Sequence, residues 1–267
     1  MISGIFHLGS GLGNQLHRYV ATRVLALDKG YDFSMVAPEN FKGKSFMNLD
    51  MGVKNNIGYI TEEDSGRIWP QGDRGGLPIW QERTPYYNPE TNFIEDNTII
   101  DGEFQDERYF EHRLKEINSW LSTNQNYADN DDFCVIGFRG GEFYTVPELG
   151  LPKSYYDEAI EIMRSKYGIK KFEVHTDDEV LAKQFFPDFK VIHDVETNWC
   201  VMRGFKYAII SNSSFYILPR LLKHNGTYPP DYKKSREVVT IAPRYWDRYN
   251  VKKWERPYNY YKKFSYI

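Results

Sequence analysis

Four short segments carry residue types that could do chemistry. Gly137-Phe-Arg-Gly-Gly-Glu-Phe143 follows an apolar run. An arginine there, flanked by glycines that keep side chains out of a ligand's way, can fork two N–H bonds onto phosphate oxygens. Ser211-Asn-Ser-Ser-Phe215 precedes an apolar stretch with helical spacing. A helix start offers unpaired N–H groups and a partial positive charge, so it can seat a phosphate; it can equally be a plain cap made by Ser213 or Ser214. In His175-Thr-Asp-Asp-Glu179, Thr176 and Glu179 fit a capping box, which leaves Asp177 and Asp178 to accept bonds from a base or ribose. Gly9-Ser-Gly-Leu-Gly-Asn-Gln15 is a glycine turn, and its Gly13-Asn14 end either caps a helix or faces a ligand. Leu16 stands where a dinucleotide fingerprint would have its third glycine, so a nicotinamide enzyme rests on a partial motif only. The six histidines show no H-x-x-x-H pair, and neither a G-x-S-x-G elbow nor a Walker sequence occurs.

These segments need elements to hold them. Residues 2–8 read as a buried strand, and Leu16, Tyr19, Val20, Val24 and Leu27 then fall on one helical face that Gly30 closes. A second strand follows over 33–37. Strand, glycine turn, helix and strand together open a parallel α/β sheet. Residues 38–92 read as loops with short elements, 98–104 as a strand and 106–122 as a helix. Residues 124–132 are Asn/Asp-rich and lack apolar period, which suits a linker. Beyond them strands at 133–138, 171–175, 190–193 and 206–210 alternate with helices at 154–167, 178–185, 197–205 and 214–224. The expected architecture is α/β, with two Rossmann-like halves facing a cleft: an N-terminal half (1–124) and a C-terminal half (133–243). A basic aromatic tail (244–267) packs back on the first half. Ligands of such sheets lie at the strand carboxyl ends.

Composition narrows the class. Lys and Arg total 34 against 37 for Asp and Glu, a net of −3, which argues against a duplex-DNA binder and leaves nucleic acid off the list of partners. The tail holds seven basic residues against two acidic ones, so its +5 leaves −8 for the first 243 residues. Its nine aromatics either staple the halves together or make a peripheral membrane or lipid-linked acceptor contact. Two cysteines cannot build a disulfide framework, no apolar run of about 18 residues suggests a membrane span, and the start lacks a signal-peptide pattern. The chain therefore reads as cytoplasmic. Aromatics make up 16%, which suits cores and sugar clefts alike.

In order along the chain, these segments resemble the α-1,2-fucosyltransferase family and its wider superfamily. Gly11-Leu-Gly-Asn-Gln15 resembles the family's G-L-G-N-Q, and Asp101-Gly-Glu-Phe-Gln-Asp-Glu-Arg-Tyr-Phe110 its G-Y-F-Q-S-E-x-Y-F. Arg139-Gly-Gly-Glu-Phe143 sits where the family has H-x-R-R-G-D-Y. Ser211–Phe215 resembles N-S-S-F, and Ile241-Ala-Pro243 with Trp246 resembles I-A-P-x-x-W. The resemblance implies a GT-B fold, an inverting transfer, no metal or other cofactor, and a GDP-fucose donor that the C-terminal, nucleotide-sugar half holds while its sugar passes to a glycan acceptor on the N-terminal, acceptor-side half. It implies that Arg139 holds the diphosphate, that Ser213, Ser214 and Phe215 line phosphate and sugar, that Asn14 reaches in from the first half, and that Asp177 lies near the nucleoside. Gly137 replaces the family's guanine-facing histidine and Gly140 its second arginine, so another nucleotide-sugar donor is the alternative, as is a non-catalytic sugar- or nucleotide-binding module.

An inverting transfer needs a cation or aimed N–H groups for the departing diphosphate, and a carboxylate to take the acceptor's proton. Arg139 and the serine-led helix supply the first. Glu142, then Glu148, are the candidate bases.

Overall fold

The computed structural model describes residues 1–54, 59–62, 67–70, 79–81, 87–124, 130–145, 149–224, 238–243 and 261–267. The chain divides into two compact units, Met1–Ser122 and Thr123–Ile267, each built on its own parallel sheet.

In the first unit β1 (Ile2–Ile5) leads to α1 (Leu12–Lys29) and β2 (Phe33–Val36). A hairpin of β3 (Tyr59–Glu62) and β4 (Arg67–Pro70) follows, then β5 (Ile79–Gln81), β6 (Thr98–Asp101) and α2 (Leu114–Trp120). The sheet order is β2-β1-β6-β5, parallel throughout. β1 is buried along its whole length because strands flank it on both sides. Leu16, Tyr19, Val20 and Val24 of the expected face of α1 are buried, whereas Leu27 in the last turn is exposed, and Gly30, at φ 69°, turns the chain out and donates its N–H to the last carbonyls.

In the second unit β7 (Phe133–Phe138) is followed by a short α3 (Glu142–Thr145) that the sequence did not suggest, and then α4 (Lys153–Tyr167), β8 (Lys171–Thr176), α5 (Glu179–Phe185), β9 (Lys190–Ile192), α6 (Val195–Gly204), β10 (Tyr207–Ile210) and α7 (Ser214–His224) alternate as the sequence suggests. β11 (Val239–Ala242) and β12 (Ser265–Tyr266) extend the sheet to the order β12-β11-β10-β7-β8-β9, again all parallel. Many of the aromatics are core: Phe138 lies 5.0–5.6 Å, centroid to centroid, from Tyr144, Tyr156, Phe185 and Phe186.

Three expectations change. The helix over 106–122 is instead two short 3-10 turns and then α2, because the Asp106 carboxylate takes the Arg108 N–H (3.0 Å) and Phe110 leaves helical geometry. The strand over 98–104 stops at Asp101, where its pairing with β5 ends at Gln81, and Phe104 beyond it adopts φ 48°. The end of the tail belongs to the second sheet: Ser265 and Tyr266 pair with Ile241 and Ala242, continuing the ladder beyond β11. The rest of the tail, 244–260, lies outside the described residues.

Candidate functional site

The second sheet reverses its winding between β7 and β10, and in open parallel sheets ligands sit at such a switch point, outside the strand carboxyl ends. Register places three segments side by side there. Gly137 pairs with Ile210 on one flank and His175 on the other. Arg139 therefore emerges between the serine turn and the Asp177-Asp178 turn.

Its guanidinium meets two carboxylates: Nη1 donates to Asp177 Oδ2, and Nη2 to Glu142 Oε1 at 2.8 Å. The neighbouring backbone N–H groups converge in the same way, Gly140 on Asp177 Oδ1 (2.8 Å) and Gly141 on Asp178 Oδ2 (3.0 Å). One guanidinium and two consecutive amides thus form an anion receptor, occupied by the chain's own carboxylate oxygens. Asp177 and Asp178, which their sequence context leaves to accept bonds from a base or ribose, here accept bonds from Arg139 and from these two amides. Asp178, not Thr176, caps α5 by accepting the Leu181 N–H at 3.0 Å. That bond, and then the one from Gly141, hold its carboxyl below the usual range.

Sterics explain the two glycines. A Cβ on Gly137 would stand 2.8 Å from Met202 Cε and 2.9 Å from Tyr216 Cγ, so the Tyr216 ring fills the volume a larger side chain would enter. Tyr216 is fixed there, its hydroxyl donating to the carbonyls of His175 (2.9 Å) and Phe138 (3.2 Å). A Cβ on Gly140 would stand 2.4 Å from Asp178 Cβ.

On the other flank Ser213 takes the cap position of α7, its carbonyl accepting the N–H groups of Tyr216 and Ile217, with Ser214 opening the helix. The half-buried Phe215 packs its ring 5.9 Å from Trp199. Ser211 and Asn212 belong to the segment the sequence singles out, although it gives neither a role. Both are buried, and Ser211 Oγ and Asn212 Oδ1 have no partner among the described residues. Glu148 lies outside the described residues.

The first unit carries Gly13 and Asn14 at its own switch point, between β1 and β6. The Gly13 carbonyl accepts from His17 Nδ1 (2.9 Å). Asn14 joins residues that no local spacing marks: its Nδ2 donates to Glu103 Oε1 (3.0 Å), while Gln105 Nε2 donates to Asn14 Oδ1 and Glu103 Oε2 (both 2.9 Å). In the same unit His7 Nε2 donates to Asp101 Oδ1 at 2.7 Å, and Arg18 Nε to the Gly102 carbonyl at 2.7 Å, the His7, Arg18 and Asp101 side chains all being buried.

Among the described residues no group of three or more His, Cys, Asp or Glu side chains could hold a metal, and no helix is long and apolar enough to cross a membrane. No family model and no curated protein matches the chain. Among solved structures it is similar to the fucosyltransferase NodZ from Bradyrhizobium, at 13% identity over 83% of this chain and 93% of that one, with a TM-score of 0.45. It is also similar to the E. coli heptosyltransferase WaaC with ADP-2-deoxy-2-fluoro heptose, at 15% identity over 100% and 93% (TM-score 0.46). A glycosyl transferase family 9 protein from Veillonella parvula gives 12% identity over 100% and 85% (TM-score 0.45).

Proposed function

We propose that the chain is an inverting GT-B glycosyltransferase whose second unit holds the diphosphate of a nucleotide-sugar donor, GDP-fucose first, and whose first unit serves a glycan acceptor. The observation that supports this best is the receptor at the β7 end, where Arg139 and the Gly140 and Gly141 amides converge on anionic oxygens. In the transfer an acceptor oxygen bonds the anomeric carbon as the diphosphate leaves from the opposite face. Arg139 and the α7 start meet the developing charge with groups already in place. Since the chain itself supplies that charge, EDTA is expected to leave turnover unchanged.

Another donor nucleotide is the second reading. It is favoured by Tyr216 and Met202, which fill the place of the superfamily's guanine-facing side chain at Gly137. Thermal shifts with GDP, UDP, dTDP and ADP decide between them. A ligand that binds only the folded chain stabilises it by about 2.7 kcal/mol at a hundredfold excess over Kd. The proposal expects the largest shift with GDP, and a reduced shift with every diphosphate in Arg139→Lys, which keeps the charge and loses the fork. If Arg139→Lys and Ser214→Ala both leave all shifts unchanged, the site is wrong. If UDP or dTDP exceeds GDP, the site stands and fucose falls. Diphosphate binding without hydrolysis or transfer of any matching sugar would leave a binding module.

A further inference from the structure

Asn212 stands where β10 gives way to α7. The Ser211 N–H donates to the Gly137 carbonyl at 2.9 Å, so the chain still runs beside β7 at the residue before it. The Ser213 carbonyl accepts the first bonds of α7 at the residue after it. Arg139 follows Gly137 by two residues and Asn212 follows Ile210 by two. Since Gly137 and Ile210 are paired, both side chains belong to the carboxyl ends of neighbouring strands, at the switch point of this sheet.

The amide of Asn212 has one possible orientation. Its Nδ2 donates to the Leu149 carbonyl at 3.1 Å, and a carbonyl can only accept, so the NH2 must face it and Oδ1 must be the other atom. An asparagine at a helix start ordinarily gives this oxygen to a first-turn N–H. Here Oδ1 has no partner among the described residues, although the residue is only 7% exposed, and Ser211 Oγ beside it in sequence is unpaired as well. A buried acceptor without a donor costs stability, and native chains hold few of them. At a strand end where ligands of such sheets sit, a ligand can complete it.

What completes it must carry a proton. The diphosphate oxygens of a nucleotide sugar are ionised at neutral pH and offer none, so the group assigned to Arg139 cannot satisfy Asn212 too. The rings joined to that diphosphate can, through their hydroxyls. We infer that Asn212 Oδ1 accepts a hydroxyl of the donor whose diphosphate Arg139 holds, which makes Asn212 a specificity residue; the inference rests on the nucleotide-sugar reading above. A donor that lacks this hydroxyl, or carries it in the other configuration, leaves the oxygen unpaired and binds more weakly.

Titration calorimetry on the full chain tests this with inorganic pyrophosphate, GDP and GDP-fucose, or with the corresponding diphosphate and hexose donor if UDP, dTDP or ADP gives the larger thermal shift. Asn212→Ala is expected to bind pyrophosphate like the wild type and GDP-fucose about 3–10-fold more weakly, the size of one neutral hydrogen bond. GDP tells the two rings apart: an unchanged affinity assigns the hydroxyl to the transferred sugar, and an equal loss assigns it to the ribose. Analogues lacking single hydroxyls of the assigned ring then close the cycle. One of them is expected to lose the same factor against the wild type and nothing further against Asn212→Ala. Asn212→Leu, close to asparagine in size, takes the place of Asn212→Ala if that variant does not fold. The assignment is overturned if the variant binds all three ligands like the wild type, if pyrophosphate weakens as well, or if no deoxy analogue loses affinity for the wild type. A wild type that binds none of the diphosphates overturns the nucleotide-sugar reading with it.

Discussion

Arg139 illustrates how a single residue is set for exchange. Its two carboxylate partners are partly exposed, Glu142 most of all at 71%, and ion pairs of that kind contribute about 0–1 kcal/mol. A diphosphate carries more charge than Glu142 and fits the same fork. Removing the competing charge by Glu142→Gln is therefore expected to tighten GDP binding by up to about fivefold in titration calorimetry, the equivalent of about 1 kcal/mol. A hundredfold loss of turnover in that variant with unchanged GDP affinity would mark Glu142 as the base. Gly137 is the opposite case, a position with no room to give. Gly137→Ala drives a methyl into Met202 and Tyr216, and a loss of about 1–3 kcal/mol in urea unfolding is expected; unchanged stability would show that those two side chains yield.

Among the elements, α7 does two things at once. Its start faces the strand ends, and further along it carries Arg220, a fully buried guanidinium. Nε donates to Thr240 Oγ1, Nη1 to the carbonyls of Met202 and Phe205, and Nη2 to those of Lys206 and Val239, at 2.6–3.2 Å. One side chain thereby ties the end of α6 to the starts of β10 and β11. Arg220→Met fills the volume and leaves several buried acceptors without that donor, each worth about 1–3 kcal/mol. The expected result is a loss on the order of 3–5 kcal/mol of unfolding free energy, read as a lower urea midpoint, and an unchanged midpoint would refute the tie. The sequence marks α7 by its apolar period but gives no sign of this role, since an arginine in a helix is ordinarily a surface residue.

For the whole molecule, acid has two distinct windows. His224 is held by Thr240 at 2.8 Å between Nε2 and Oγ1, and burial, followed by the nearby Arg220, pushes its pKa from 6.5 to about 3. The folded chain keeps it neutral while the unfolded chain protonates near 6.5, so the unfolded state binds more protons between those values. Stability is then complete above pH 6.5 and falls as pH drops toward 3, by at most about 1.4 kcal/mol per unit. Asp178 and Asp194 act lower: hydrogen bonds lower both pKa values, so their contribution is present above about 3.9 and is lost in stronger acid. Urea unfolding at pH 7 and pH 5 is expected to show lower stability at pH 5, and His224→Gln to shrink that difference. An equal difference in the variant would remove His224 from the account.

The sequence alone determined what depends on short range. Apolar runs marked β1, β7, β8 and β10, helical period marked α1, α4 and α7, and the glycines after β7 placed Arg139 at a strand end. Each is a pattern of neighbours within one or two turns, where side-chain direction follows from backbone geometry. Strand order and register were decided by the tertiary structure, because pairing joins residues far apart and is selected by how whole faces pack. That choice put β7 between β10 and β8, brought Asp177 onto Arg139, filled the space at Gly137 with Tyr216, and set Glu103 against Asn14. No spacing along the chain encodes those meetings.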